Sequence, residues 1–270
     1  MRGKIKPSEN IILNTGEQLK SLEPNQQYRY LGFNEQQITD KEAKSSLKKE
    51  YFSRLKMILK SELSSKFTID AINSYAIPAL SYGFPVLDWT ITELESIDRE
   101  TRKVLQTYHA MHKQSDITRL YIPRKNGGRG LINVVNHFKN AIINFSSYLL
   151  STNELYLNLV SDWQFTRGAK SIHHMAELYS RELDLDIQEL SILSKQQRKN
   201  KVKRIRTETM IESVKAKNLH GSYFKLLDEP HIDTSSIKWL TSPSLKKATE
   251  STICSIQEQT VTTKYIKKHF

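Results

Sequence analysis

Chemistry in a protein needs particular side chains at particular spacings, and this sequence offers few such sets. His109 and His112 are three apart and His173 and His174 are adjacent, but no carboxylate stands where it would complete a metal site. Asp184 and Asp186 precede a helical pattern, a place where acidic residues favour the positive end of the helix dipole. The serines are many, yet none sits on a G-x-S-x-G elbow. No nucleophile–base pair and no metal site is expected. What remains is cationic. Arg124, Lys125 and Arg129 surround Gly127, Gly128 and Gly130 in one short loop. Such a loop can bring guanidinium groups and backbone amides to phosphate oxygens. The same glycines also suit a turn that needs positive φ. Arg29 lies between Tyr28 and Tyr30, a pattern open both to nucleic-acid contact and to the packing of a half-buried strand. Lys195 to Arg206 carries seven basic residues and no acidic one, which reads equally as a phosphate-binding face and as a solvated helix face.

These groups need elements to hold them. Residues 11–13, 18–22 and 28–33 have strand-forming composition, separated by turn signals at Asn14-Thr15-Gly16-Glu17 and Glu23-Pro24-Asn25. From Asp40 onward the period is helical. Leu47, Tyr51, Leu55 and Ile58 share a face, with Leu59 and Leu63 beside it, while Lys48, Lys49, Arg54, Lys56 and Lys60 crowd the others. A second helix is predicted over 68–82 with Thr68 as its cap and Pro78 interrupting it. A third covers 90–112, opened by a Thr90–Glu93 capping box. A fourth covers 133–150, with Val135, Phe138, Ile142, Phe145 and Leu149 in strict amphipathic spacing. After Asn153 the pattern loosens. Helices are predicted near 169–182, 186–218 and 244–263, the last behind Ser242-Pro243.

Composition narrows the class. The 270 residues carry 41 Lys and Arg against 29 Asp and Glu, a net charge of +12, with none of the excess in residues 1–40. A field of this sign attracts polyanions, nucleic acid first. Nine glycines and seven prolines argue against an all-β protein with many tight turns. Cys254 is alone, so no disulfide framework forms, and a reducing intracellular compartment fits. No membrane span is predicted, and the basic start has no apolar stretch behind it, unlike a signal peptide.

Several strings together resemble one family. Tyr28-Arg-Tyr-Leu-Gly-Phe33 resembles the primer-grip segment of non-LTR (LINE-type) retrotransposon reverse transcriptases. Ala71-Ile-Asn-Ser-Tyr-Ala-Ile-Pro-Ala-Leu-Ser-Tyr-Gly83, followed by Asp88-Trp89, is similar to the helix entering their thumb. Ile97 to Lys103 and Leu120-Tyr-Ile-Pro-Arg-Lys-Asn-Gly-Gly-Arg-Gly-Leu131 resemble the next thumb helix and its loop. Looser similarity runs through Leu219-His-Gly221, Trp239-Leu240 and Thr249-Glu250, and is closest to the class with a restriction-like endonuclease.

The resemblance implies a mainly α fold with a short N-terminal β-hairpin element. Residues 1–37 would end a polymerase palm, 38–160 would form a helical thumb, and 161–270 a basic helical connector before a zinc knuckle and endonuclease. It implies a template–primer duplex of RNA or DNA as partner, together with the palm and fingers of the parent polyprotein, and a nuclear location. Tyr28, Arg29, Tyr30 and Gly32 would lie near the primer end. Arg124, Lys125 and Arg129 would contact phosphates, with Gly127, Gly128 and Gly130 permitting close approach. The Mg2+ ions of the family are held by paired aspartates, and no Asp-Asp occurs here. No catalytic residue and no cofactor are therefore expected in this chain. A domesticated nucleic-acid-binding module and a non-functional gene remnant are other readings of the same residues. A basic membrane-surface protein fits less well, because the apolar faces have core-like register.

Overall fold

A computed structural model of the chain describes residues 11–12, 16, 18–19, 28–30, 33–35, 40–168 and 171–261. The chain divides into two compact units, 1–46 and 47–270. The described residues are mainly helical.

In the first unit, strands β1 (Ile11–Ile12) and β2 (Gln18–Leu19) pair antiparallel, and Gly16 between them has φ +80°. The sequence suggests one strand from Tyr28 to Phe33. Instead β3 (Tyr28–Tyr30) and β4 (Phe33–Glu35) are separate and pair antiparallel, with Tyr28 opposite Glu35 and Tyr30 opposite Phe33. The intervening Gly32 is a poor strand former. Gly32 itself, Leu31 and the Glu23-Pro24-Asn25 turn lie outside the described residues.

Helix α1 (Asp40–Lys60) crosses from the first unit into the second. Its face buries Tyr51, Leu55, Ile58 and Leu59, as the spacing predicts, whereas Leu63 is exposed. Tyr51 also ties α1 to α4 (Ile91–Thr107) through a 2.9 Å bond with the Thr101 hydroxyl. The next helix starts earlier than predicted. It runs as α2 (Ser65–Ala71), a π turn (Ile72–Ala76) and α3 (Ile77–Ser81). Thr68 is no cap; its hydroxyl donates to the Leu63 carbonyl at 3.3 Å. Pro78 lacks an N–H for the helical ladder, and the regular α pattern fails just ahead of it. The Tyr75 carbonyl there accepts from Arg54 at 3.0 Å.

The Thr90–Glu93 capping box is formed at the start of α4, in both directions. Short α5 (Ile117–Tyr121) is capped by Asp116, and the chain then enters the glycine loop. Helix α6 (Val134–Ser151), capped by Asn133, buries Val134, Phe138, Ile142, Ile143 and Leu149. It packs on α4 and on α8 (Ile172–Arg181). Phe84 meets Phe138 edge-on at 5.3 Å.

Beyond α6 the elements are shorter than the sequence suggests. Helix α7 (Leu155–Thr166) falls where no helix was expected. The predicted 186–218 helix is two, α9 (Ile187–Ile192) and α10 (Lys195–Lys215), because Ser194 breaks the run and caps the second. Asp186 caps α9 by accepting from the Gln188 N–H at 2.9 Å. Short α11 (Ser222–Leu226) and a 3-10 turn (Thr234–Leu240) lead to α12 (Lys247–Gln257). This last helix begins behind Lys246 rather than at Ser242-Pro243.

Candidate nucleic-acid interface and the buried arginine cluster

The glycine loop 122–131 is held from within. Arg119 donates to the Gly127 carbonyl at 3.1 Å, and the Arg129 amide donates back to the Arg119 carbonyl at 3.1 Å. Gly127 and Gly130 have φ +86° and +79°, where a side chain would be strained. Gly128 is required for another reason. A Cβ there would stand 2.1 Å from the Ile122 carbonyl oxygen. A Cβ at Gly127 would meet Leu227 and Tyr223 side chains at 3.2 and 3.3 Å. The close approach that Gly127 and Gly128 allow is to the protein's own chain, whereas a Cβ at Gly130 would meet only ordinary contact distances.

The arginines of the loop follow the same logic. Arg124 and Arg129 are buried, and both turn to Glu250 on α12. Arg124 grips the carboxylate with both terminal nitrogens, at 2.8 and 3.1 Å, and also donates to the Leu240 carbonyl at 2.8 Å. Arg129 donates to Glu250 from Nε at 2.8 Å and to the Ala110 carbonyl from Nη1. Its Nη2 reaches the Ser65 hydroxyl at 3.0 Å, and Ser65 in turn donates to Glu250 at 2.7 Å. Burial pushes the Glu250 pKa up, but the guanidinium groups, Arg129 foremost, outweigh it and hold the carboxyl below its usual range.

A parallel cluster adjoins it. Arg119, 1% exposed, donates to the Cys254 carbonyl at 3.0 Å, to Glu258 at 3.2 Å and to Gln257 at 2.5 Å. Its guanidinium also lies 4.1 Å from the centre of the Tyr223 ring. Glu258 accepts from the Asp116 amide at 2.7 Å, and Asp116 is paired with Lys217. Cys254 is buried among these groups, and burial raises its thiol pKa.

The two clusters clamp the loop to α12, more than one hundred residues away in sequence. Three guanidinium groups are used as internal fasteners. Arg124 and Arg129 therefore turn their charge to Glu250 rather than to solvent. Arg119 was not singled out in the sequence, where nothing distinguishes it from a surface arginine.

The remaining sites are placed as follows. Lys125 is exposed. Tyr28, Arg29 and Tyr30 contribute backbone to β3. The basic run on α10 splits into two roles. Arg198 is buried and donates to the Leu190 carbonyl at 2.9 Å. Arg206 donates to Asn140 and Asn136 at 2.8 and 3.1 Å, binding α10 to α6. Lys201 faces Glu189 at 3.6 Å. Lys195, Lys199 and Lys203 are exposed at four-residue spacing.

A second cationic row lies on α1, where Lys49, Ser53, Lys56 and Lys60 are all exposed. Spacings of four, three and four residues put them in one stripe, and a rise of 1.5 Å per residue spreads it over about 16 Å. Glu50 stands off the stripe and is paired with Arg54 at 2.7 Å. The arrangement can neutralise successive phosphates, contacts that carry no sequence information.

Among the described residues, no group of three or more His, Cys, Asp or Glu side chains is placed to hold a metal ion. None of the described helices is long and apolar enough to cross a membrane. Neither models of known protein families nor curated protein sequences match the chain.

Proposed function

We propose that the chain holds a template–primer duplex through its phosphates, as the thumb region of a non-LTR reverse transcriptase does, with no polymerase chemistry of its own. The observation that carries this reading is the exposed lysine stripe Lys49–Lys56–Lys60 on α1. The net charge of +12, the mainly helical build and the resemblance of the 28–33, 71–83 and 120–131 strings support it. Lys125 and the Lys195, Lys199 and Lys203 row supply further cations. The role of Tyr28, Arg29, Tyr30 and Gly32 beside a primer end, the loss of the Mg2+ centre and a nuclear location rest on the resemblance alone. Grip without base reading suits a polymerase that must slide along whatever it copies.

Fluorescence anisotropy of the full chain on unrelated duplexes, across a range of salt, tests the reading. Four to six engaged cations give a log–log slope of roughly −4 to −5, with similar affinities for each sequence. A flat salt response, or strong preference for one duplex, contradicts it.

A further inference from the structure

Helix α7 is amphipathic the wrong way round. Its buried residues are Ser161 and Gln164. Ser161 shares a hydrogen bond of 3.0 Å with His173 Nε2, whose Nδ1 bonds Ser146 on α6 at 2.9 Å, and Gln164 accepts from the Ile172 amide at 3.1 Å. These polar contacts, with Phe165 stacked on the His173 ring at 4.5 Å, dock α7 on α6 and α8. The solvent side carries Leu155, Tyr156, Leu159, Val160 and Trp163, with Tyr156 80%, Leu155 69% and Trp163 56% exposed. At 100° per residue these five fill one continuous arc opposite Ser161, with Gln164 bordering its Val160 edge. A contiguous apolar face of this kind, rimmed by charge, marks a surface that another molecule covers.

The residue order selects the occupant. On a heptad, Tyr156 and Trp163 take position a and Leu159 takes d. Leu155 and Asp162 then fall at g, with Val160 and Arg167 at e. Across a parallel two-fold pair, each g residue meets the e residue five further along the partner helix. That rule sets Leu155 against Val160 and Asp162 against Arg167, apolar with apolar and acid with base, twice over by symmetry. An antiparallel pair would bring the two copies of Asp162 to the same edge. Both Asp162 and Arg167 are exposed, and Arg167 lies 5.0 Å from the centre of the Trp163 ring, already on this face.

We infer that α7 pairs in parallel with α7 of a second copy of this chain, forming a two-fold dimer. Five half-exposed apolar side chains per copy bring the buried total to roughly 1,000 Å2, the size at which specific interfaces begin. Association is therefore reversible and in the micromolar range or weaker. Lipid surfaces and single-stranded nucleic acid also take aromatic faces, but neither explains the matched g and e residues.

Sedimentation equilibrium of the full chain from about 5 to about 500 μM tests the inference in the range such an interface should occupy. The mass is expected to rise from 31.4 kDa toward twice that value. Trp163→Glu should weaken dimerisation at least tenfold while leaving the far-UV spectrum and Tm unchanged. Leu159→Glu serves the same purpose if the first variant does not fold. Asp162→Arg and Arg167→Asp should each weaken the dimer, and the two together should restore it. A chain that stays monomeric throughout overturns the inference, as does a dimer indifferent to both glutamate variants. Failure of the double exchange to recover association overturns the parallel pairing. A monomer whose Trp163 emission shifts on adding anionic vesicles or single-stranded RNA assigns the face to those partners and overturns the second-copy occupant.

Discussion

Arg124 and Arg129 show how far a residue's chemistry depends on its partner. In the sequence they are two cations in a glycine loop, a fair description of a phosphate clamp. Their partner, Glu250, lies more than 120 residues downstream, and no local pattern announces it. The carboxylate receives Arg124, Arg129 and Ser65 at once, so removing it strands two guanidinium groups away from water. Breaking a buried pair in this way costs about 3–5 kcal/mol. Glu250→Ala and Arg129→Ala should each lower stability by that amount in urea unfolding, where loss of an exposed arginine would change it by well under 1 kcal/mol. The pH dependence follows from the same contacts. The folded Glu250 pKa lies below its ordinary 4.5, so its stabilisation is complete above that value and is lost as pH falls through the lower folded value. Urea midpoints between neutral pH and pH about 3 should therefore fall more steeply for the native chain than for Glu250→Gln. Equal slopes would mean that Glu250 is not held by the arginines.

At the scale of elements, legibility tracks how local the determinant is. The capping box of α4 and the apolar stripe of α6 depend on residues three and four apart: the box forms as the sequence predicts, and Phe138, Ile142 and Leu149 of the stripe are buried, joined by Val134 and Ile143 while Val135 and Phe145 are half-buried. The break between α9 and α10 at Ser194 is also local, yet the strong helical composition on both sides hides it. Helix α7 is hidden because its pattern is inverted: the apolar arc faces solvent, and its docking uses a serine, a glutamine and Phe165 stacked on a histidine. The glycines of the loop were legible as necessary, but the reason at Gly128 was not, since the obstacle is the Ile122 carbonyl rather than a positive φ. Gly128→Ala should force that contact apart and destabilise by about 1–3 kcal/mol, as overpacking does. Gly130→Ala, where the nearest side-chain atom is 3.5 Å away, should show only the left-handed backbone strain of about 1–2 kcal/mol. Thermal unfolding of the two variants separates clash from strain, because the Gly128 cost grows again in Gly128→Val and depends on the Ile122 backbone.

For the whole molecule, the net charge of +12 was plain from the start, but its distribution was not. A share of the arginines, including Arg119, Arg124, Arg129 and Arg198, is spent on fastening elements together. The charge available to a polyanion is then carried mainly by lysines. This division has a chemical basis: the flat, multiply donating guanidinium satisfies carbonyls and carboxylates in the interior, while the flexible ammonium remains hydrated outside. In the proposed function, phosphate contact runs through the lysine stripe of α1 and not through the loop arginines. Its most direct test is the salt dependence of duplex binding by the full chain with Lys49, Lys56 and Lys60 all changed to Gln. Unchanged Tm, weaker binding and a log–log slope less steep by about 2.7, close to 0.9 for each lost contact, are expected. A slope and affinity equal to those of the native chain would contradict it.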